Sequence, residues 1–349
     1  MMKILKTIKK RDGKNSSMKK VGCLGVLKMI GLAAFILPLF ACSTKEKKAE
    51  FSVVATSFPC YDAARACLKG LIDDEKVSLK LMIKPGAEVH SFDPSPADMI
   101  NVNDSDVFIF VGGESDEWVE KVLAGTVGKK NQKFVKLIDS VETVAEDDFG
   151  EDEETDSESM VDEVSVEEDE HIWTSPKNEV LIVRRIAEEI CAAYKDSGLS
   201  EKYGLEFEET VLKNSQEYIS QIMAVEQKTK AVVAEMKHQF IVMADRFPLR
   251  YFADYYGLKY DAAFSGCSSA VEASPSTISR LIDEVETKKL KSVYYIELGN
   301  HKIADSVAES AGVEARILYS VQNVSKDDFD AGETWVSLMD KNAETLRNN

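Results

Sequence analysis

This sequence predicts an α/β fold of two (β/α) lobes with parallel sheets, joined by a long rigid helix. Three observations carry that expectation. Short apolar runs alternate with amphipathic helical stretches from Phe51 to Leu137, and the same alternation restarts at Phe240. Between the two halves, Ser200 to Lys237 keeps helical apolar spacing with no internal Pro, long enough to act as a stiff strut. At 349 residues the chain has room for about two domains. The expected division is an N-terminal lobe over 51–199, a linking helix over 200–237 and a C-terminal lobe over 238–349.

Taken in order, F-S-V-V-A-T-S-F from Phe51 reads as a strand stopped by Pro59, and Tyr61 to Ile72 as a helix. Val77 to Ile83 is a second strand. It feeds the rigid loop K-P-G-A-E-V-H-S-F-D-P-S-P, Lys84 to Pro96, which carries His90. Ser95-Pro96 opens a helix, because Pro is well tolerated in a first turn. Asp106 to Gly112 is an unbroken apolar run, as expected of a parallel strand covered on both faces. Glu117 to Leu123 is amphipathic, and Val135 to Leu137 is a short strand. Lys177 to Asp196 reads as a helix before the linking segment. In the second half, strands are expected at Phe240–Ala244, Lys259–Phe264, Val293–Glu297 and Ala315–Tyr319. Helices are expected at Leu249–Tyr256, Thr277–Glu286, Ile303–Ala311 and Trp335–Leu346.

The N-terminus has a different character. Basic residues crowd the first twenty positions, and Met29 to Ala41 is apolar and ends at Cys42. That run is shorter than the roughly 20 residues of a membrane span, so residues 1–41 read as a secretory signal, with Met18 as an alternative start. Leu39-Phe40-Ala41-Cys42 resembles a lipobox, although Phe40 is bulkier than usual. Cys42 is therefore the expected lipidation site, and 42–50 a charged tether. Removing a segment of net charge +8 takes the chain from −18 to −26. Such a balance argues against a nucleic-acid partner, which demands a basic surface.

Glu146 to Glu170 holds about 15 acidic residues in 25 and no Lys or Arg, so it cannot bury a core and reads as a solvated loop. It is either a plain surface loop or a low-specificity cation collector. After loss of the signal and acylation of Cys42, Cys60, Cys67, Cys191 and Cys267 remain, none in a CxxC pair. An exported compartment permits disulfides, and Cys60 with Cys267 is one candidate pairing.

Chemistry is expected where loops leave strand ends, since open α/β sheets bind ligands beyond the carboxyl ends of their strands. His90, His171 and His301 fall at such places, and Glu297 ends a strand; His238 lies at the end of the long helix. Imidazoles with a carboxylate suit Zn(II), and also Mn(II) when more oxygen joins. No H-E-x-x-H segment is present, so the pattern is one of binding and not of metal-assisted hydrolysis.

Several segments in order resemble the metal-binding lipoproteins of ABC importers, the zinc- and manganese-binding solute-binding family. G-A-E-V-H-S-F-D-P-S-P is similar to that family's first His loop and D-E-H-I-W-T-S-P to its second. F-V-G-G-E-S-D-E-W-V-E-K-V-L, R-Y-F-A-D-Y-Y-G-L, V-E-A-S-P-S-T-I and W-V-S-L-M-D-K-N are similar to other family segments. The resemblance spans residues 51–346. It implies two lobes with a metal site in the interlobe cleft, zinc as the expected ion and manganese as the alternative. The implied partners are an ABC permease with its ATPase, and a membrane reached through lipid on the extracytoplasmic side. A surface adhesin of the same fold is a further alternative. His90, His171 and Glu297 match family ligands, whereas Arg246 falls where the third His is usual. A guanidinium cannot ligate. Asp245 or Glu272 would then pair with Arg246, or Asp245 would itself ligate, and His301 is expected to replace the missing imidazole.

Overall fold

The computed structural model describes residues 49–72, 76–125, 127–147, 149, 168–268, 272–347 and 349. The expected signal segment, Cys42 and most of the acidic block lie outside the described residues.

The first sheet is built from β1 (Phe51–Ala55), β2 (Val77–Leu81), β3 (Val107–Phe110) and β4 (Lys133–Lys136), all parallel, in the order β2-β1-β3-β4. Period-2 alternation divides its side chains between two layers. Val53, Ala55, Val107 and Ile109 join the large core. Val54, Phe108 and Phe110 face the opposite way, with Val102, Val119 and Val122. These last three come from α2 (Pro96–Asp104) and α3 (Glu117–Gly125). α2 begins with a full capping box from Ser95 and Asp98, as the Ser-Pro start predicts.

The second sheet repeats this plan. β5 (Phe240–Phe247), β6 (Lys259–Ser265), β7 (Ser292–Tyr295) and β8 (Glu314–Ile317) are parallel in the order β6-β5-β7-β8. Ile241, Met243 and Tyr294 enter the large core. Val242, Ala244 and Val293 pack outward with Leu281 and Val307, from α8 (Pro275–Lys288) and α9 (Lys302–Ala311). Both sheets are thus covered on both faces, which is why their strands read as continuous apolar runs.

Between the sheets lie α1 (Phe58–Cys67), α4 (Pro176–Asp196), α6 (Glu206–Glu235) and α11 (Trp335–Arg347), which all contribute to the large core. The stretch expected as one helix over 200–237 is divided. A short α5 (Leu199–Tyr203) ends at Gly204, whose φ of 85° breaks the helical path before α6 begins. The remaining 30 residues of α6 still span roughly 45 Å at 1.5 Å per residue. α7 (Arg250–Tyr256) follows β5. A small α10 (Lys326–Asp330), capped by Ser325, was too short to show a period in the sequence.

The helices are joined by a buried polar knot. Asp62 on α1 accepts the Tyr218 hydroxyl of α6 at 2.5 Å and the Trp335 amide at the start of α11 at 2.7 Å, and pairs with Arg65. Beside it, Glu179 on α4 is 0% exposed, and neither carboxylate oxygen has a hydrogen-bond partner among the described residues. Burial, reinforced by the Asp62 charge, raises its pKa well above the ordinary carboxylate value. Because the folded state holds this proton more tightly than the unfolded chain, the group costs stability as pH rises above that value. The slope reaches at most about 1.4 kcal/mol per pH unit. Glu179→Met should therefore raise the unfolding free energy at pH 8 by on the order of 1–4 kcal/mol, with the gain shrinking toward pH 5. Urea unfolding at the two pH values reads this directly; an identical pH slope in parent and variant would contradict it.

Candidate metal centre

His171 is the best-defined element of the site. It precedes a 3₁₀ turn, Ile172–Thr174, that is held from several sides. Trp173 donates its indole N–H to the Ser320 carbonyl at 2.8 Å, and Trp335 donates to the Trp173 carbonyl at 2.8 Å. Tyr251 of α7 donates to the Asp169 carbonyl at 2.7 Å. The imidazole is 0% exposed. Its Nδ1 lies 3.0 Å from the Asp169 carboxylate, which also accepts the His171 backbone N–H at 2.8 Å. A carboxylate can only accept, so Nδ1 carries a proton, and in the neutral ring the lone pair lies on Nε2. That Nε2 is buried and has no hydrogen-bond partner among the described residues. Burial pulls the His171 pKa down, but Asp169, Glu170 and Glu146 outweigh it and the net direction is up. The surrounding carboxylates favour positive charge at this ring.

His90 arrives from the loop after β2. Segment Ser320–Val324 of the second half clamps that loop. Asn323 donates to the Lys84 and Ala87 carbonyls at 3.0 and 2.8 Å, and the Gly86 amide donates to Val324 at 2.8 Å. Gly86 sits at φ 81°, which the turn requires. His90 Nε2 lies 3.0 Å from the Gln322 amide nitrogen and Nδ1 lies 2.9 Å from the Ser115 hydroxyl. With Gln322 donating to Nε2, Nδ1–H donates to Ser115, which donates in turn to Glu170. Burial lowers the His90 pKa, assisted by His171 and Arg246 and opposed by Glu170 and Glu88; the net direction is down. The ring is therefore held neutral, the form that binds metal.

Two residues not singled out as ligands from the sequence complete the group. Glu170 is 1% exposed and accepts the Ser115 amide at 2.8 Å. Gly113 makes room for it, since a Cβ there would stand 2.2 Å from the Glu170 Cβ. Cys267 follows β6, with its amide donating to Glu146 at 2.7 Å. One donor atom from each of His90, Glu170, His171 and Cys267 lies within 4.8 Å of the others. Nitrogen, oxygen and sulfur donors in this combination fit a tetrahedral zinc site. Both additions had a faint signal. Glu170 abuts His171 directly, and Cys267 stands at the carboxyl end of a parallel strand, where the other candidates also lie.

The remaining sequence candidates are placed elsewhere. Glu297 lies just past β7 and is buried. Its carboxylate accepts the Ser320 amide and hydroxyl at 2.7 and 2.8 Å and the Val321 amide at 2.7 Å. Burial, against these hydrogen bonds, raises its pKa to about 7. It lines a separate cavity of about 140 Å³ with Glu88, Arg246 and Gln322. His301 does not replace the missing imidazole in this arrangement. It turns outward at the start of α9, 59% exposed, with Nδ1 2.8 Å from Asp305. Arg246 pairs with Glu88 at 3.3 Å, not with Asp245 or Glu272. Burial raises Glu88, but the guanidinium outweighs it and the pKa falls below the ordinary carboxylate value. Asp245 accepts the Arg246 and Ile296 amides at 2.8 and 3.3 Å, and so braces the loop after β7, while Glu272 is exposed. Cys60 and Cys267 are both free thiols.

Two parallel sheets that bring imidazoles, a carboxylate and a thiol together define an α/β protein of the two-lobed, helix-linked kind with a candidate metal centre. Residues 53–349 match the family model described as zinc-uptake complex component A, periplasmic, and the chain belongs to that family. Among curated relatives, the zinc-binding lipoprotein AdcA of Streptococcus pneumoniae serotype 4 is 27% identical over 331 residues, 95% of this chain and 61% of AdcA. The chain thus spans about three fifths of that relative's length. The high-affinity zinc uptake system protein ZnuA of Bacillus subtilis strain 168 is 26% identical over 325 residues, 90% of this chain and 95% of ZnuA. The Zn(II)-bound ZnuA-like domain of S. pneumoniae AdcA superposes with a TM-score of 0.63 at 24% identity, covering 85% of this chain and 97% of the domain. That likeness shows the two-lobed fold.

Asp169 fixes the tautomer that leaves Nε2 available. Asp169→Ala should weaken zinc binding by about 10–100-fold, the range for loss of such an orienting partner, while far-ultraviolet circular dichroism stays unchanged. Isothermal titration of the variant with zinc tests this; parental affinity would show that Asp169 does not orient the ring.

Proposed function

We propose that this chain is an extracytoplasmic solute-binding protein that captures a divalent transition metal, zinc before manganese, and delivers it to an ABC permease powered by its ATPase. It carries out no chemical turnover. Lipid on Cys42 would tether it to the outer side of a membrane; among the described residues no helix is long and apolar enough to cross one. The observation that carries the reading is the fully buried His171, whose Nε2 has no hydrogen-bond partner among the described residues and whose ring groups with donors of His90, Glu170 and Cys267. A buried nitrogen lone pair without a donor is costly unless something binds it. A cation answers both the lone pair and the surrounding negative charge. His90, His171 and Glu170 are the proposed core of the ligand set. Glu297 would join only by giving up Ser320 and Val321, and His301 is 59% exposed and does not group with these donors. The relatives AdcA, a zinc-binding lipoprotein, and ZnuA, of a high-affinity zinc uptake system, support zinc as the cargo.

Elemental analysis of protein purified without added metal should find about one zinc per chain, retained when manganese is offered in competition. His171→Ala should lose that zinc. Protein that binds no transition metal at stoichiometric level would overturn the reading.

A further inference from the structure

The four described cysteines have unlike surroundings. Cys60 lies against the Thr56 and Ser57 hydroxyls, Cys67 donates to the Val183 carbonyl, and Cys191 donates to the Glu208 carbonyl. Cys267 instead lies with its sulfur grouped with one donor atom each from His90, Glu170 and His171. An independent observation on the same imidazole points to a ligand. His171 is fully buried and its Nε2 is without a partner among the described residues. The backbone of the Cys267 loop is pressed onto that ring, for a Cβ at Gly266 would stand 2.9 Å from His171 Cε1. A residue with a side chain at 266 would push the sulfur and the imidazole apart.

We propose that Cys267 supplies a thiolate ligand to the captured ion, which makes the site select zinc and other thiophilic divalent ions over manganese. This rests on the metal-binding reading above and specifies its selectivity. As the sulfur–metal bond forms, the thiol proton leaves to solvent, since only the thiolate ligates. A route for ion and proton is present on the same side. Cys267 also groups with Glu114 and Glu146, and these three line a cavity of about 640 Å³ together with Glu117, Glu120 and Glu168. Cys267 is the member of the four-residue group that borders this acidic space. Carboxylates lining a cleft concentrate cations there, and a soft donor at the inner wall then discriminates among the ions that arrive.

Cobalt(II) is the probe, because a thiolate ligand to it gives an intense near-ultraviolet charge-transfer band that nitrogen and oxygen ligands do not. One equivalent of cobalt added to the metal-free parent should produce that band, and Cys267→Ser and Cys267→Ala should both lack it while still binding cobalt. The variants should lose at least about tenfold in zinc affinity and change little toward manganese, so that the zinc-to-manganese preference narrows. A parent that binds one cobalt with no charge-transfer band, or a Cys267→Ala protein with parental zinc affinity and preference, overturns the thiolate while leaving the metal site intact. Failure of the parent to bind cobalt, zinc or manganese overturns both. The parent spectrum and protection of the Cys267 thiol from alkylation by bound zinc require no variant to fold.

Discussion

A fully enclosed imidazole must have both of its nitrogens accounted for, and that constraint organises this molecule's centre. Asp169 settles one nitrogen of His171 and leaves the other buried without a hydrogen-bond partner among the described residues. The carboxylates that make the ring basic are the same groups that favour an incoming cation. Much of the nearby structure holds His171 still: the 3₁₀ turn behind it, the Trp173 and Trp335 hydrogen bonds, and the Gly266 backbone against its edge. A site for which the protein supplies rigidity can select ions by donor type and geometry, because a misfit ion cannot recruit a looser arrangement.

The two sheets contribute differently. The first brings His90 and, through the loop after β3, Ser115, which links His90 to Glu170. The second brings Cys267 at the end of β6 and the Ser320–Val324 segment, which clamps the His90 loop and offers Gln322 to the ring. Arg246 takes no part as a ligand; its pairing with Glu88, two residues from His90, ties the halves together beside the site. Where a third imidazole is usual in the resembled family, this chain places a cation, and the donors that approach His171 are instead an oxygen and a sulfur.

Most of the architecture was legible in the sequence because burial on both faces of a parallel sheet leaves an unmistakable apolar run, and the family resemblance carried the same plan. That His90 and His171 come together was legible because their loops follow strands or precede a long helix with distinctive flanking residues. The divided linker was not, since one glycine within a helical period is commonly tolerated and only its positive φ breaks the path. The fate of His301 was hidden for a related reason. Glu297 and His301 lie four residues apart, but the turn through Leu298 and Gly299 sends one inward to Ser320 and the other outward to Asp305. Glu170 was obscured by the acidic run that it ends, and Cys267 by its candidacy for a disulfide. In both cases the meaning lay in what the other half of the chain brings near.

In the proposed site the ion sits at His171, between His90, Glu170 and Cys267. Anomalous diffraction at the zinc absorption edge, from crystals of the zinc-loaded protein, locates the ion without reference to any variant. The account predicts a single strong peak about 2.0–2.1 Å from His171 Nε2 and about 2.3 Å from the Cys267 sulfur. A peak beside Glu297 in the cavity shared with Arg246, or on exposed His301, with none at His171, would contradict it.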